Sequence, residues 1–228
     1  MKLVARYDYR EGVKIPKSGP AIVVSNHVSY MDAFALAFLL YSHGRAPRFL
    51  GKSQVFRVPI IGRILLAAEQ IPVERESKEA RVALQYALRL LEMGHLVGVY
   101  PEGTLTRDKE YWPMIAKTGA ARLAVIAKVP VYPAAQWGTQ QVLPPYRKRL
   151  RIFPRTTVRY RVGEPIDLSR WYGKEEDPAA MTEATAHIMS AITALLEEIR
   201  DQERPATIFD PHTSDLPRTG NFRKGAKK

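Results

Sequence analysis

The sequence predicts an α/β fold: a single domain built on a mixed, mostly parallel sheet flanked by helices. Short apolar runs without helical period, at 21–25, 95–100 and 129–133, alternate along the chain with segments that keep helical spacing. The 228 residues, 46% of them hydrophobic, are enough to bury one substantial core. No internal repeat is visible, and Pro, Gly and charge accumulate only from Glu203 onward. The domain is therefore assigned to 1–202, with 203–228 read as a basic, flexible tail or tether.

Ala21-Ile22-Val23-Val24-Ser25 reads as a buried strand, and Asp32 to Leu40 as an apolar helix after a short turn. A second helix places Ala80, Ala83, Leu84, Ala87, Leu88 and Leu91 on one face, with Gly94 as its stop. The strand His95 to Tyr100 follows. Lys117 to Val125 reads as a helix opening that leads into a strand at 129–133. Asp177-Pro178 offers a cap and a first-turn proline for a long helix over 178–201, expected to pack on the sheet through Ile188, Ala191, Ile192, Leu195 and Ile199.

The run Ser25-Asn26-His27-Val28-Ser29-Tyr30-Met31-Asp32 holds the strongest chemical signal. On a continuous helix His27 and Asp32 would point roughly 140° apart and could not meet. In a strand-to-helix turn Asp32 can fold back on the imidazole. A carboxylate on one ring nitrogen fixes the tautomer and stabilises the imidazolium, leaving the other nitrogen to take a proton from a hydroxyl. The same letters fit a helix capping box, Ser29-x-x-Asp32, which does not exclude catalysis. Tyr100-Pro101-Glu102-Gly103-Thr104 falls at a strand's C-terminal end, the edge where open α/β sheets bind ligands.

Asn26-His27-x4-Asp32 followed by Tyr-Pro-Glu-Gly-Thr at 100–104 resembles the glycerolipid acyltransferases of the 1-acylglycerol-3-phosphate acyltransferase type. Two further blocks stand in the expected order. Lys52 to Phe56, Pro59 to Gly62 and Ile71 to Arg75 look like the family's second block, and Val129 to Pro133 like its fourth, so the resemblance covers about 14 to 170. It implies transfer of a fatty acyl chain from acyl-CoA or acyl carrier protein to the free hydroxyl of a lysophospholipid, most simply 1-acylglycerol-3-phosphate. His27 would be the base and Asp32 its orienter, with Asn26, Glu102, Gly103 and Thr104 around the substrate; Glu102 would hold acceptor hydroxyls. Lys52 and Arg75 would face the acceptor's phosphate. An alcohol is a poor nucleophile at neutral pH, and a positioned base supplies about 10²–10⁴-fold. With no cysteine a thiol acyl-enzyme is excluded, and no cofactor or metal is expected beyond the thioester co-substrate.

Two departures bear on the acceptor. Leu105 stands where the family commonly has an arginine, and Glu69 where it usually has a glycine. Arg107 is the candidate to compensate for the first. A sugar, glycolipid or other neutral hydroxyl is the alternative acceptor.

A net charge of +12 points to an anionic partner. Between Arg147 and Arg161 lie seven basic residues and no acid, partly in the strand-like run Thr157 to Val162, and each contributes about 1 kcal/mol near an anionic leaflet. The arginine-punctuated apolar stretch Val55 to Leu66 is a second candidate docking surface, or ordinary core. No h-region is read at the N-terminus and no apolar run approaches the roughly 18 residues of a spanning helix, so peripheral attachment at the cytoplasmic face is expected. Nucleic-acid binding would be the rival use of the charge. It lacks a reading helix, zinc spacing or interleaved aromatics, and the five histidines show no metal-ligand spacing.

Overall fold

The computed structural model describes residues 4–9, 15–73, 77–147 and 149–214. Its elements run β1 (Ala5–Tyr9), β2 (Ala21–Ser25), α1 (Asp32–Ser42), β3 (Pro47–Lys52), α2 (Ser53–Phe56), α3 (Ile61–Ala67), β4 (Ile71–Val73), α4 (Ser77–Glu92), β5 (Leu96–Val99), α5 (Gly119–Ala127), β6 (Val131–Trp137), α6 (Thr139–Val142), β7 (Thr156–Val162) and α7 (Pro178–Arg200). The strands form one seven-stranded sheet in the order β1-β7-β6-β2-β5-β3-β4. The five neighbouring strands from β6 to β4 are parallel. β7 joins β6 antiparallel, and β1 lies parallel to β7, so the sheet is mixed as the sequence predicts.

β2 is central and buried along its whole length, which is why it carries no polar alternation. Its side chains feed two cores. Ile22 and Val24 pack with α4, α5 and α7, and Ala21 and Val23 with α1, Phe49 and Tyr160. The long C-terminal helix starts where Asp177 accepts from the Ala179 and Ala180 N–H groups, with Pro178 at its first turn. It buries Ile188, Ile192, Leu196 and Ile199, and each such side chain contributes about 1.5–3 kcal/mol. Contrary to expectation, one helix among the described residues, α7, is long and apolar enough to cross a membrane by length and composition; half of that window is buried within the fold.

Other departures are local. α5 begins two residues after the expected start, and the strand expected at 129–133 runs from Val131 to Trp137. β1, β3 and β4 had no sequence assignment, and neither had the short helices α2 and α3. The Val55–Leu66 stretch forms α2, α3 and the bend between, and leaves Val55, Val58, Ile60, Ile64 and Leu66 exposed rather than in the core. Glu69 takes a left-handed conformation, φ +52°, just past α3, which accounts physically for a glycine at this position, and it pairs with Arg48.

The C-terminal ends of β2, β5 and β6 share one edge of the sheet. At the last of these the chain must turn sharply, and Gly138 makes the turn with φ +105°; a Cβ there would sit 2.4 Å from the Thr157 carbonyl oxygen. Gly138→Ala is therefore expected to lose roughly 2–5 kcal/mol, from strained backbone plus overpacking, read as a lowered urea midpoint.

Candidate active site

The turn after β2 is pinned before it delivers any chemistry. Asn26 and Gln136, at neighbouring strand ends, are joined by three hydrogen bonds: Asn26 Nδ2 donates to the Gln136 carbonyl (3.0 Å), the Gln136 N–H donates to Asn26 Oδ1 (2.9 Å), and Gln136 Nε2 donates to the Asn26 carbonyl (3.0 Å). Asn26 is fully buried. The structure thus corrects its expected place at the substrate: its amide is spent on the frame.

His27 follows with its backbone held on both sides. Its N–H donates to Glu102 Oε1 at 3.0 Å, and its carbonyl accepts from the Thr106 N–H at 2.7 Å. Nδ1 lies 2.9 Å from Asp32 Oδ2. The ring stacks on Tyr100, centroids 4.3 Å apart, and Tyr100 in turn stacks on Phe49 at 5.8 Å. Phe49 can lie there because Gly98 has no Cβ, which would come 2.2 Å from its ring. The His27 side chain keeps 19% exposure, and among the described residues Nε2 makes no hydrogen bond. A carboxylate accepts only, so Nδ1 carries the proton and Nε2 presents a lone pair outward.

Asp32 opens α1 with its side chain wholly buried. Oδ2 also accepts from the Val28 and Ser29 N–H groups at 2.6 and 2.8 Å, and Oδ1 accepts from Thr139 Oγ1 at 2.5 Å. The Ser29 N–H to Asp32 and the Met31 N–H to Ser29 Oγ at 3.1 Å close the turn ahead of the helix. The capping-box reading does not hold: α1 has Met31 at its N-cap with no side-chain cap bond, and the Asp32 N–H donates to the Ser29 carbonyl rather than to its hydroxyl. Nothing local announced Thr139, which arrives from α6, 107 positions away.

Glu102, expected to hold acceptor hydroxyls, is buried, and its two oxygens take the N–H groups of His27 and Met114 (3.2 Å), so it braces the loops around the imidazole. Burial pushes its carboxyl up to about 8, against the Met114 and His27 N–H groups, which hold it down. Gly103 (φ +67°) and Thr104 are half-buried beside it, and the aliphatic end of Lys117 lies along Gly103, where a Cβ would stand 3.4 Å from Cδ and 3.6 Å from Nζ. Lys117, exposed and tied by its N–H to the Pro101 carbonyl, puts a cation beside this loop that the helix-opening reading had missed. Leu105 and Arg107 are both buried, so Arg107 does not hold its guanidinium out on the surface in place of the missing arginine. Lys52 ends β3 with its side chain outside the described residues, and Arg75 lies outside them entirely.

The family described as Acyltransferase matches residues 6–137. The chain is 32% identical over 126 residues to a chloroplastic 1-acyl-sn-glycerol-3-phosphate acyltransferase of Brassica napus, covering 55% of this chain and 35% of that protein. It is 28% identical over 199 residues to the 1-acyl-sn-glycerol-3-phosphate acyltransferase of Bacillus subtilis, covering 83% and 92%. The chain thus spans about a third of the plant relative and nearly all of the bacterial one. The fold resembles the crystal structure of a 1-acyl-sn-glycerophosphate acyltransferase from Thermotoga maritima, with TM-score 0.68 and 22% identity over 89% of this chain and 76% of that one.

The raised Glu102 carboxyl has a consequence for stability. A carboxyl whose folded pKa lies above its unfolded value stabilises the fold in its protonated form, so that contribution is complete below about 4.5 and is lost as pH rises through about 8. Glu102→Gln removes the titration. The wild type is expected to lose on the order of a few kcal/mol relative to this variant between pH 5 and 8.5, measured as urea midpoints across pH.

Proposed function

The chain belongs to the acyltransferase family, and from that premise we propose that it transfers a fatty acyl group from a thioester, acyl-CoA or acyl carrier protein, to the free hydroxyl of 1-acylglycerol-3-phosphate, giving phosphatidic acid. The observation that carries the reading is the His27 Nδ1–Asp32 contact, which leaves Nε2 accessible. The acceptor hydroxyl sits between Nε2 and the thioester carbonyl. Nε2 takes its proton as the oxygen attacks; the imidazolium is stabilised by Asp32, and its proton passes to the departing thiolate when the tetrahedral intermediate collapses. Nothing beyond the two substrates is consumed in this scheme.

The phosphorylated acceptor is supported by the names of both relatives and by the basic residues Lys52 and Arg75 of the second block. Lys117 beside Gly103 adds a cation to the same loop. A neutral acceptor is favoured by one observation: Leu105 stands at the expected arginine and Arg107 is buried. For the surroundings, we take the enzyme to act peripherally at the cytoplasmic face of an anionic membrane, supported by the +12 charge and by exposed apolar groups.

His27→Ala should lower turnover by about 10²-fold or more with the fold retained by circular dichroism. Asp32→Asn should be comparably severe and also destabilising, because an amide nitrogen would then face groups that donate. Near-wild-type turnover in either folded variant, at saturating acceptor, would sink the dyad. Arg75→Ala should reduce kcat/KM for lysophosphatidate about 10–100-fold more than for monoacylglycerol, the worth of a charge-assisted hydrogen bond. An unchanged ratio of the two would favour the neutral acceptor.

A further inference from the structure

The segment from Arg149 to Arg155, between α6 and β7, is exposed at every residue. Leu150, Ile152 and Phe153 show 46%, 54% and 90% of their surface. Single exposed apolar side chains are ordinary, but three within four residues, interleaved with arginines, are not. The basic run it belongs to divides in two. On β7, Arg161 pairs with Glu198 at 2.8 Å, and Arg159 lies in register with Asp8 of β1. Arg149 and Arg151 sit on the loop, in a sequence that holds no acid from 147 to 161.

The base of this loop is fastened to the catalytic turn. The Arg151 N–H donates to the Val142 carbonyl at 2.7 Å, closing the loop on α6, whose first residue, Thr139, holds Asp32. Ser29 Oγ donates to the Leu143 carbonyl at 2.7 Å, and the Tyr30 and Tyr146 rings meet edge-on at 6.2 Å. A surface that received this loop would therefore lie near the turn carrying His27.

We propose that this loop is the membrane-entering element of the enzyme: Leu150, Ile152 and Phe153 insert into the interfacial layer while Arg149 and Arg151 meet the phosphates of an anionic leaflet. The inference rests on the membrane reading above and names the element responsible. It moves the docking role away from Arg159 and ranks the α2–α3 segment, where Ile60 of the bend and Ile64 of α3 are also exposed, as the competing surface.

The double variant Ile152→Ser/Phe153→Ser tests it, sedimented with phosphatidylcholine vesicles containing phosphatidylglycerol and assayed in parallel on detergent-dispersed lysophosphatidate. Vesicle partition should fall about tenfold or more, since two apolar anchors are lost, while turnover in detergent stays within about twofold. The chain has no cysteine, so Phe153→Cys and Ile60→Cys give two unique positions for an environment-sensitive fluorophore. The label at 153 should shift to the blue on vesicle addition. Unchanged partition of the double variant overturns the proposal, as does a shift at 60 without one at 153. Wild-type protein that fails to sediment with anionic vesicles at all overturns the membrane reading beneath it.

Discussion

The buried carboxylate of Asp32 is the constraint on which the rest of the site depends. Taking an ionised group out of water costs several kcal/mol, and nothing at that position is affordable unless every lone pair finds a donor. Four donors converge on it: two backbone N–H groups of its own turn and His27 Nδ1 at Oδ2, and the Thr139 hydroxyl at Oδ1. Charge-assisted hydrogen bonds contribute about 1.5–3 kcal/mol each, which is of the order needed to offset the desolvation. Gly138 bends the chain to bring Thr139 in, and Asn26 locks β2 to β6 so that the turn cannot drift. The imidazole is the one partner of the four that reaches solvent.

Around that anion the site is braced in layers. Glu102 grips the backbone of His27 and the 106–114 segment, so the loop after β5 orients the loop after β2. Tyr100 and Phe49 support the ring from one side, in space left by Gly98. The arrangement leaves the imidazole little freedom to rotate, and a general base is effective only when its lone pair is already aimed. The glutamate of the second motif thus fixes the position of the His27 backbone.

How much of this was legible in the sequence follows from distance along the chain. His27 and Asp32 lie five residues apart across one turn, and strand and helix periods on either side sufficed to place them. Asp177-Pro178 and Gly94 are equally local signals, and both fall where expected. Gln136, Thr139 and Lys117 come from elements far downstream, and no spacing rule connects them to residue 27. β1 escaped because Ala-Arg-Tyr-Asp-Tyr is polar for a strand; it lies at the sheet's edge, where only one side needs burial. α2 and α3 are short and exposed, without the buried face that gives a helix its period. The basic run was visible as charge, but which arginines are balanced is a matter of register with β1 and contact with α7.

The hydrogen bonds that build the site also set an order for its assembly. His27 leans on a residue 75 positions later, Asp32 on one 107 later and Asn26 on one 110 later. During synthesis the turn emerges early and waits, because its central strand has no neighbour on one side until β5 and none on the other until β6. A nascent chain halted before residue 139 holds both members of the dyad but lacks the hydroxyl that completes the carboxylate's shell. Non-local closure of this kind is slow relative to helix formation, so the carboxylate's shell is among the last parts of the fold to close.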